Sequence, residues 1–339
     1  MAPSDGPDFE PQKIFAAVSQ LGLGGEAPVL DGEFRGGQCH IFKLSFRDKE
    51  SLAVRVLLYM NVHDQLDKIP VIKMEAETLQ VLEAKGFPWA PKCRGYSLSF
   101  DNPVKHPFIV LTWAEGSSLA WDENFPEQPH RNRLLGQIAS IQLSLIECTL
   151  ETRSTTAKAY FERLLKNRRA RVAEGKLPNI SNQDCVDQQG FLDHLLGQEQ
   201  DNMIFTIDHG DLNPNNIIVD DKYNIQSVID WGFASFVPII RAASIPRFLW
   251  PNPPDFRPNV VVQKDIQSYA MCFASQQSQA ALYMQRCQIA EGVEFRTLYL
   301  ESLLSKGMHA SLARIGWKVP YQKIVENREE SMSRNIIDN

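Results

Sequence analysis

The sequence lacks the features of a membrane-spanning or secreted protein. No run of about 18 apolar residues occurs in its 339 residues, and the N-terminal segment MAPSDGPDFEPQ has neither a basic region nor an apolar stretch. A transmembrane helix needs about 20 apolar residues, and a secretory signal needs both of the missing parts. We therefore expect a cytoplasmic protein with no membrane partner.

Cysteine and positive charge are present but not organised into sites. The six cysteines are scattered, with no Cys-x-x-Cys pair and no His or Cys neighbour at zinc spacing, so they indicate neither a disulfide framework nor a zinc site. The formal net charge is −6, and no basic stripe is interleaved with aromatic residues. This charge pattern argues against nucleic acid as a partner.

The composition that remains is typical of a globular protein, with 43% hydrophobic and 22% charged residues over a length that favours two lobes. Strand patterns run from Val29 to Leu58, and a helical pattern follows from Val71 to Lys85. We expect an α+β bilobal protein. A flexible tail (1–10) would precede a small antiparallel-sheet lobe with one main helix (11–112) and a larger, mostly helical lobe (113–339).

The segment from Ile207 to Phe233 carries the densest set of placed acids and amides. Two β-branched runs flank the polar turn DDKYN, and this arrangement predicts a β-hairpin. If the loop centres on residues 222–224, Asn216 is directly opposite Asp230, about 4.5–5.5 Å away. An amide oxygen with one carboxylate suits Mg²⁺, which takes phosphate and water oxygens as its other ligands. The hairpin therefore predicts a metal site at Asn216 and Asp230.

A candidate proton acceptor precedes this hairpin. Asp211 lies five residues before Asn216 on an irregular loop with a proline, so it could stay near the metal pair and still accept a proton. His209 would brace the loop. The spacing H-x-D-x-x-x-x-N, followed by D-x-G after the hairpin, matches the catalytic loop and metal-binding Asp of the protein-kinase signature. An Asp-rich turn alone is usually a solvated loop. Here, however, four polar positions coincide with a hairpin register that brings the two predicted metal ligands together.

The sequence of this segment resembles that of the aminoglycoside phosphotransferase family, and especially of its fungal members, in the residues HGDLNPNNIIVD…VIDWGFA. The similarity extends from about Val29 to Trp250. It implies a protein-kinase-like fold, ATP or GTP as phosphoryl donor with Mg²⁺, and a small hydroxyl compound as acceptor, such as an amino alcohol or a sugar. We expect a monomer or a weak dimer.

The resemblance also implies a nucleotide site in the first lobe. Arg55 stands where the lysine of V-A-I-K would neutralise the α- and β-phosphates, and an arginine there could bind phosphate bidentately. Glu75 would hold Arg55 in place, with Glu77 as the competing residue. A surface arginine and a solvated helix carboxylate are the alternatives.

Two further segments are expected around the nucleotide. Gly36 and Gly37, in the first hairpin connection, would bring backbone N–H groups to the phosphates, although a double glycine is more often a plain turn. The segment including Thr112 and Ala114 would receive the adenine on backbone groups.

The rival interpretation is a nucleotide-binding pseudokinase that acts as a scaffold or sensor. It would have lost Asp211, Asn216 or Asp230, and all three are present. A protein kinase is disfavoured because no A-P-E segment follows Gly232. Relatives usually have Glu at that position, but the change to glycine removes no group that the chemistry needs.

Overall fold

The computed structural model describes residues 9–23, 28–36, 39–58, 64–196, 203–250, 260–289 and 293–314. The chain divides into two compact units. Unit 1 comprises Met1–Ala120 and His209–Ser235, and unit 2 comprises Trp121–Asp208 and Phe236–Asn339. Residues 209–235 thus group with the N-terminal sheet, whereas the sequence assigns them to the second lobe. The lobe boundary at 112/113 stays a prediction.

Unit 1 is built on a five-stranded antiparallel sheet in the order β1-β2-β3-β5-β4. Its elements are α1 Pro11–Gln20, β1 Val29–Arg35, β2 Cys39–Ser45, β3 Leu52–Leu57, α2 Asp64–Ala84, β4 Cys93–Ser97 and β5 Phe108–Thr112. A small second sheet has the order β10-β9-β6, formed by β6 Ser117–Ser118, β9 Ile217–Val219 and β10 Ile225–Val228.

The two faces of the larger sheet differ because side chains alternate along each strand. In β2 every second residue is buried, including Phe42 and Leu44. These residues join one core with Ile14 and Val18 of α1. Phe9, within the predicted flexible tail, is also buried and packs edge-on against Phe42. Residues 1–8 of that tail lie outside the described residues.

The main helix of unit 1 begins earlier than the sequence predicts. Its apolar pattern predicts a start at Val71, after Pro70, but α2 spans Asp64–Ala84 with Pro70 inside it. The predicted start is therefore wrong. A proline lacks one backbone donor, and the helix extends on both sides of that gap.

Unit 2 is mostly helical and contains a three-stranded sheet in the order β11-β8-β7. Its elements are α3 His130–Thr149, β7 Glu151–Thr152, α4 Ala157–Ala173, α5 Asn182–Leu196, β8 Ile204–Asp208, β11 Ser235–Pro238, α6 Ile239–Ala242, α7 Val260–Met271, α8 Gln279–Ile289, α9 Val293–Ser302 and α10 Lys306–Arg314. None of the described helices combines the length and apolar character needed to span a bilayer.

Buried polar contacts connect the helices of unit 2. Arg131 of α3 forms a buried bidentate pair with Asp265 of α7, at 2.8 and 2.6 Å. Arg168 of α4 donates to the Ser302 carbonyl and lies 2.7 Å from Nδ1 of His309 in α10. Burying a charge is costly unless its donors are satisfied, and here Arg131 is paired with Asp265 while Arg168 donates to the carbonyls of Ser302 and Leu303.

Candidate active site

The loop that carries Asp211 is held by a glycine in a conformation that other residues rarely adopt. Gly210 has φ +79°, and a Cβ there would lie 2.4 Å from the carbonyl oxygen of Phe233. Both the backbone angle and the contact exclude a side chain at this position. The backbone preceding Asp211 is therefore packed directly on the backbone of Phe233.

Asp211 and Asn216 are joined by direct hydrogen bonds. The amide nitrogen Nδ2 of Asn216 donates to the Asp211 backbone carbonyl at 2.9 Å and to its carboxylate Oδ2 at 3.2 Å. Asn213 caps the intervening 3₁₀ turn, since its side chain accepts from the Asn215 N–H. With Nδ2 engaged, the Asn216 amide oxygen is the atom that could coordinate a cation.

His209 connects the loop that carries Asp211 to the hairpin. It is buried, its Nδ1 accepts from the Asp211 N–H at 3.3 Å, and its Nε2 lies 3.0 Å from the Ile229 carbonyl. This network assigns the proton to Nε2, which then donates to Ile229. The ring also packs edge-on against Trp231, with centroids 4.6 Å apart. These contacts fit the bracing role expected from the sequence.

The predicted hairpin exists, but its predicted register is wrong. The turn is closed by bonds between Asp220 and Asn224, and Val219 pairs with Ile225. A bulge after Ile225 then shifts the pairing by one residue. As a result the Asn216 carbonyl accepts from the Ile229 N–H at 2.8 Å, so Asn216 is opposite Ile229 rather than Asp230.

Asp230 nevertheless lies beside the predicted phosphate-binding residue. It follows Ile229 directly, has φ +63°, and precedes the 3₁₀ turn Trp231–Phe233. Its Oδ1 is 3.1 Å from Nη1 of Arg55, and its side chain is 43% exposed. This carboxylate is half exposed, and it directly follows Ile229, whose N–H donates to the Asn216 carbonyl. It therefore remains suited to a cation.

Arg55 is clamped between two carboxylates. Its Nη2 donates to the buried carboxylate of Glu75, while Nη1 donates to Asp230. Burial raises the pKa of Glu75, although the guanidinium opposes that shift. Burial alone would lower the pKa of Arg55, but attraction to Glu75 and other negative groups outweighs it and raises that pKa. The competing residue Glu77 is 56% exposed and lies 3.8 Å from Lys73.

Of the other residues predicted to contact the nucleotide, two use their backbone N–H groups within the protein and one lies outside the described residues. The Gly36 N–H donates to the Cys39 carbonyl at 2.9 Å, so this donor already closes the turn, and Gly37 lies outside the described residues. The Thr112 N–H donates to the Lys92 carbonyl, and the Lys92 N–H donates to the Thr112 hydroxyl, both at 3.0 Å. Ala114 is half-buried just beyond β5. The bonds of Thr112 hold it against Lys92, the residue that precedes β4.

The donor set fits a hard cation. Asn216 and Asp230 offer one amide and one carboxylate oxygen donor, and Mg²⁺ is commonly held by one or two such ligands with phosphates and water. Within the part of the chain that the structure describes, no group of three or more His, Cys, Asp or Glu side chains could hold a metal. An all-protein cage of such residues is therefore not part of the described structure.

Three residues outside the predicted set of catalytic, nucleotide and metal residues also position this part of the chain. Gly210 packs against Phe233, as described above. Gly116 has φ +124°, and a Cβ there would lie 2.3 Å from the Val219 carbonyl oxygen, so glycine is required. Trp231 is fully buried between His209 and Phe87. The glycine in H-G-D could have indicated the close packing at Gly210 from the sequence. The packing of Gly116 and Trp231 depends on contacts between segments that are distant in sequence.

Comparison with solved structures finds a similar fold in two complexes of a phosphotransferase and in a choline kinase. The gentamicin complex of APH(2")-IIa has a TM-score of 0.55 at 12% identity, covering 93% of this chain and 98% of the other. Its streptomycin–ATP ternary complex has a TM-score of 0.51 at 12% identity, covering 89% and 99%. Choline kinase from Cryptosporidium parvum Iowa II has a TM-score of 0.50 at 13% identity, covering 93% and 92%.

At these identities the likeness establishes the fold, which is protein-kinase-like with an antiparallel N-terminal sheet, as the sequence predicts. No curated protein sequence matches significantly. The sequence profile described as the phosphotransferase enzyme family (APH) matches residues 55–259, which include Arg55 and the whole segment from His209 to Asp230. The chain belongs to this phosphotransferase family.

Proposed function

We propose that the protein is a small-molecule kinase, which transfers the γ-phosphate of ATP or GTP to a hydroxyl group of a small acceptor with the help of Mg²⁺. The observation that carries this proposal is a pair of side-chain clusters within unit 1, which the hydrogen bond from the Ile229 N–H to the Asn216 carbonyl brings within one residue of each other. Arg55 contacts Glu75 and Asp230, and Asn216 contacts Asp211. These are the residue types that phosphoryl transfer needs for charge neutralisation and positioning.

Each side chain has a distinct part in the proposed reaction. Asp211 would orient the acceptor hydroxyl and accept its proton as the new O–P bond forms. Asn216 and Asp230 would hold Mg²⁺, which neutralises charge on the phosphates when bound. Arg55 would bind the α- and β-phosphates with its planar guanidinium, while Glu75 keeps it on the sheet.

The small-molecule acceptor is supported by the structural relatives. Two are complexes of a phosphotransferase with gentamicin or with streptomycin and ATP, and the third is a choline kinase. An amino alcohol or a sugar-like compound is therefore the class of acceptor to test. The ATP of the streptomycin complex likewise supports a nucleoside triphosphate as donor.

A two-stage assay tests the proposal. Mg-ATP and Mg-GTP are first measured for stabilisation in thermal unfolding, where ligand at 100 times its Kd adds about 2.7 kcal/mol. ATP consumption is then measured with ethanolamine, choline, homoserine, glucose and kanamycin. Asp211→Ala should lower turnover by at least about 10²-fold, the low end for general acid–base catalysis, while nucleotide stabilisation persists.

Asp221→Asn is the matched control, because Asp221 is exposed in the turn of the same hairpin. It should leave turnover unchanged. Equal turnover of the Asp211→Ala variant and the wild type would contradict the role of Asp211. Nucleotide binding without consumption for every acceptor would favour the pseudokinase interpretation, and the absence of nucleotide binding would contradict both.

A further inference from the structure

One face of the five-stranded sheet carries Arg55 and, two strands away, an exposed aromatic residue. Phe34 of β1 is opposite Ile41 of β2, which in turn is opposite Arg55 of β3. Directly opposed residues place their side chains on the same face of a sheet. Phe34 therefore shares the face of the guanidinium that is proposed to bind phosphates.

The ring of Phe34 stacks on Trp113. Their centroids are 5.5 Å apart and their planes differ by 27°. Trp113 directly follows β5, and its N–H donates to the Ser51 carbonyl at 2.9 Å, so its backbone is fixed to the sheet. Phe34 is 48% exposed near the end of β1. The stack thus joins an anchored indole to an exposed phenyl ring.

A glycine leaves room for this stack. A Cβ on Gly32 would lie 3.0 and 3.2 Å from Cε2 and Cζ of Phe34, so the phenyl ring lies back along its own strand. A Cβ at position 32 would require the ring to shift by a few tenths of an ångström. The missing side chain of Gly32 therefore allows the ring of Phe34 its observed position on Trp113.

A lysine that is paired with two carboxylates lies over the indole ring of Trp113. The Lys43 ammonium is 5.1 Å from the centroid of the Trp113 ring and pairs with Asp31 at 3.3 Å and Glu115 at 3.1 Å. Lys43 links β2, β1 and the segment after β5 through these contacts. The indole is thus restrained on the sheet independently of Phe34, which is the more exposed partner.

The distance between the rings of Phe34 and Trp113 leaves no space for a third ring between them. Carbon atoms in contact lie about 3.5–4.0 Å apart, so a base sandwiched between two rings needs a separation of about 7 Å. The observed separation is 5.5 Å. A base that stacks on this surface of Trp113 must therefore replace Phe34.

We propose that Phe34 is an aromatic latch that the nucleotide base displaces, so that Trp113 becomes the stacking surface for a purine. This inference rests on the proposed function, because Trp113 lies between Thr112 and Ala114, where that function expects the base. Stacking uses the π-face that every base has. Adenine and guanine should therefore both be accepted, in contrast to recognition by edge hydrogen bonds alone.

Calorimetric titration with Mg-ATP, Mg-GTP and Mg-tripolyphosphate tests the latch, since tripolyphosphate lacks a base. In the Phe34→Ala background, Trp113→Leu should weaken Mg-ATP binding at least about fivefold relative to Phe34→Ala alone, the low end of the loss expected for one base–aromatic stack. Phe34→Ala should tighten it by about two- to tenfold, because a competing aromatic contact is lost. Gly32→Ala should act in the same direction by displacing the ring. Tripolyphosphate affinity should stay within about twofold in each variant.

Val29→Ala is the control, since it removes another exposed apolar side chain from β1 and should change no affinity. Weaker Mg-ATP binding by Phe34→Ala would overturn the latch, because the phenyl ring would then contact the base itself. Parallel changes for tripolyphosphate, or unchanged affinity for every ligand in every variant, would also overturn it. A wild-type protein that binds neither nucleotide nor tripolyphosphate would refute the proposed function as well.

Discussion

The substitution Glu75→Gln tests the charge pair at the centre of the site. Glu75 is fully buried, and its carboxylate accepts from the guanidinium of Arg55. Removing one partner of a buried ion pair costs about 3–5 kcal/mol, because the other charge stays buried. Here Asp230 remains 3.1 Å from Arg55 and compensates part of that charge. We therefore expect the low end, about 3 kcal/mol.

Thermal unfolding is the assay, and about 3 kcal/mol corresponds to a fall in Tm of roughly 6–12 °C for a domain of about 150–250 residues. Glu77→Gln is the matched control on the same helix. Glu77 is 56% exposed and lies 3.8 Å from Lys73. Exposed pairs contribute at most about 1 kcal/mol, so its Tm should stay close to that of the wild type.

A double variant separates stability from function. Arg55→Met combined with Glu75→Leu removes both charges of the pair, and such apolar replacements are often neutral or stabilising. The double variant should recover most of the stability that Glu75→Gln loses. Its Mg-ATP affinity should be lower than that of the wild type, because no cation remains on β3. The reasoning is refuted if Glu75→Gln unfolds like Glu77→Gln, or if the double variant is no more stable than Glu75→Gln.

Three further predictions concern the loop, the metal and unit 2. Gly210→Ala should lower turnover by about 10²-fold through displacement of Asp211, since a shift of about 1 Å can cost that much, and kinetics at saturating nucleotide would show it. Asp230→Ala should reduce turnover and Mg²⁺-dependent nucleotide affinity together in titrations with and without magnesium. Burial, and then a neighbouring guanidinium, lowers the pKa of His309 to about 4. The unfolded chain then binds more protons between about pH 6.5 and 4, so unit 2 should lose up to about 3 kcal/mol as pH falls through that window. His309→Gln should flatten this slope in denaturant titrations.

The strands of unit 1 could be predicted because their signal is local. Apolar and polar residues alternate along most of Cys39–Ser45, and Leu52–Leu57 is a short, nearly continuous apolar run. Both features can be read from a few neighbouring residues. The start of α2 could not be predicted in the same way. A proline usually limits a helix, and continuation through Pro70 requires packing that the local sequence does not encode.

The residues of the candidate site could be found because the chemistry restricts their types. Glu75 and Glu77 differ in the face of the helix on which they lie, and only Glu75 is buried against the sheet residue Arg55. Their spacing of two residues made that distinction available to a helical pattern. The stack of Phe34 on Trp113 has no such signal, since it joins segments far apart in sequence.

The error in the hairpin register does not remove Asp230 from the predicted metal pair, which stays a prediction. In a regular strand a shift of one residue moves every side chain to the opposite face. Asp230, however, lies beyond the end of β10, and its positive φ takes it out of the alternation. Its position is therefore set by the turn Trp231–Phe233 and by the contact with Arg55, neither of which depends on the cross-strand pairing. The bulge changes the residue opposite Asn216, but it leaves Asp230 one peptide bond away from the residue that Asn216 binds.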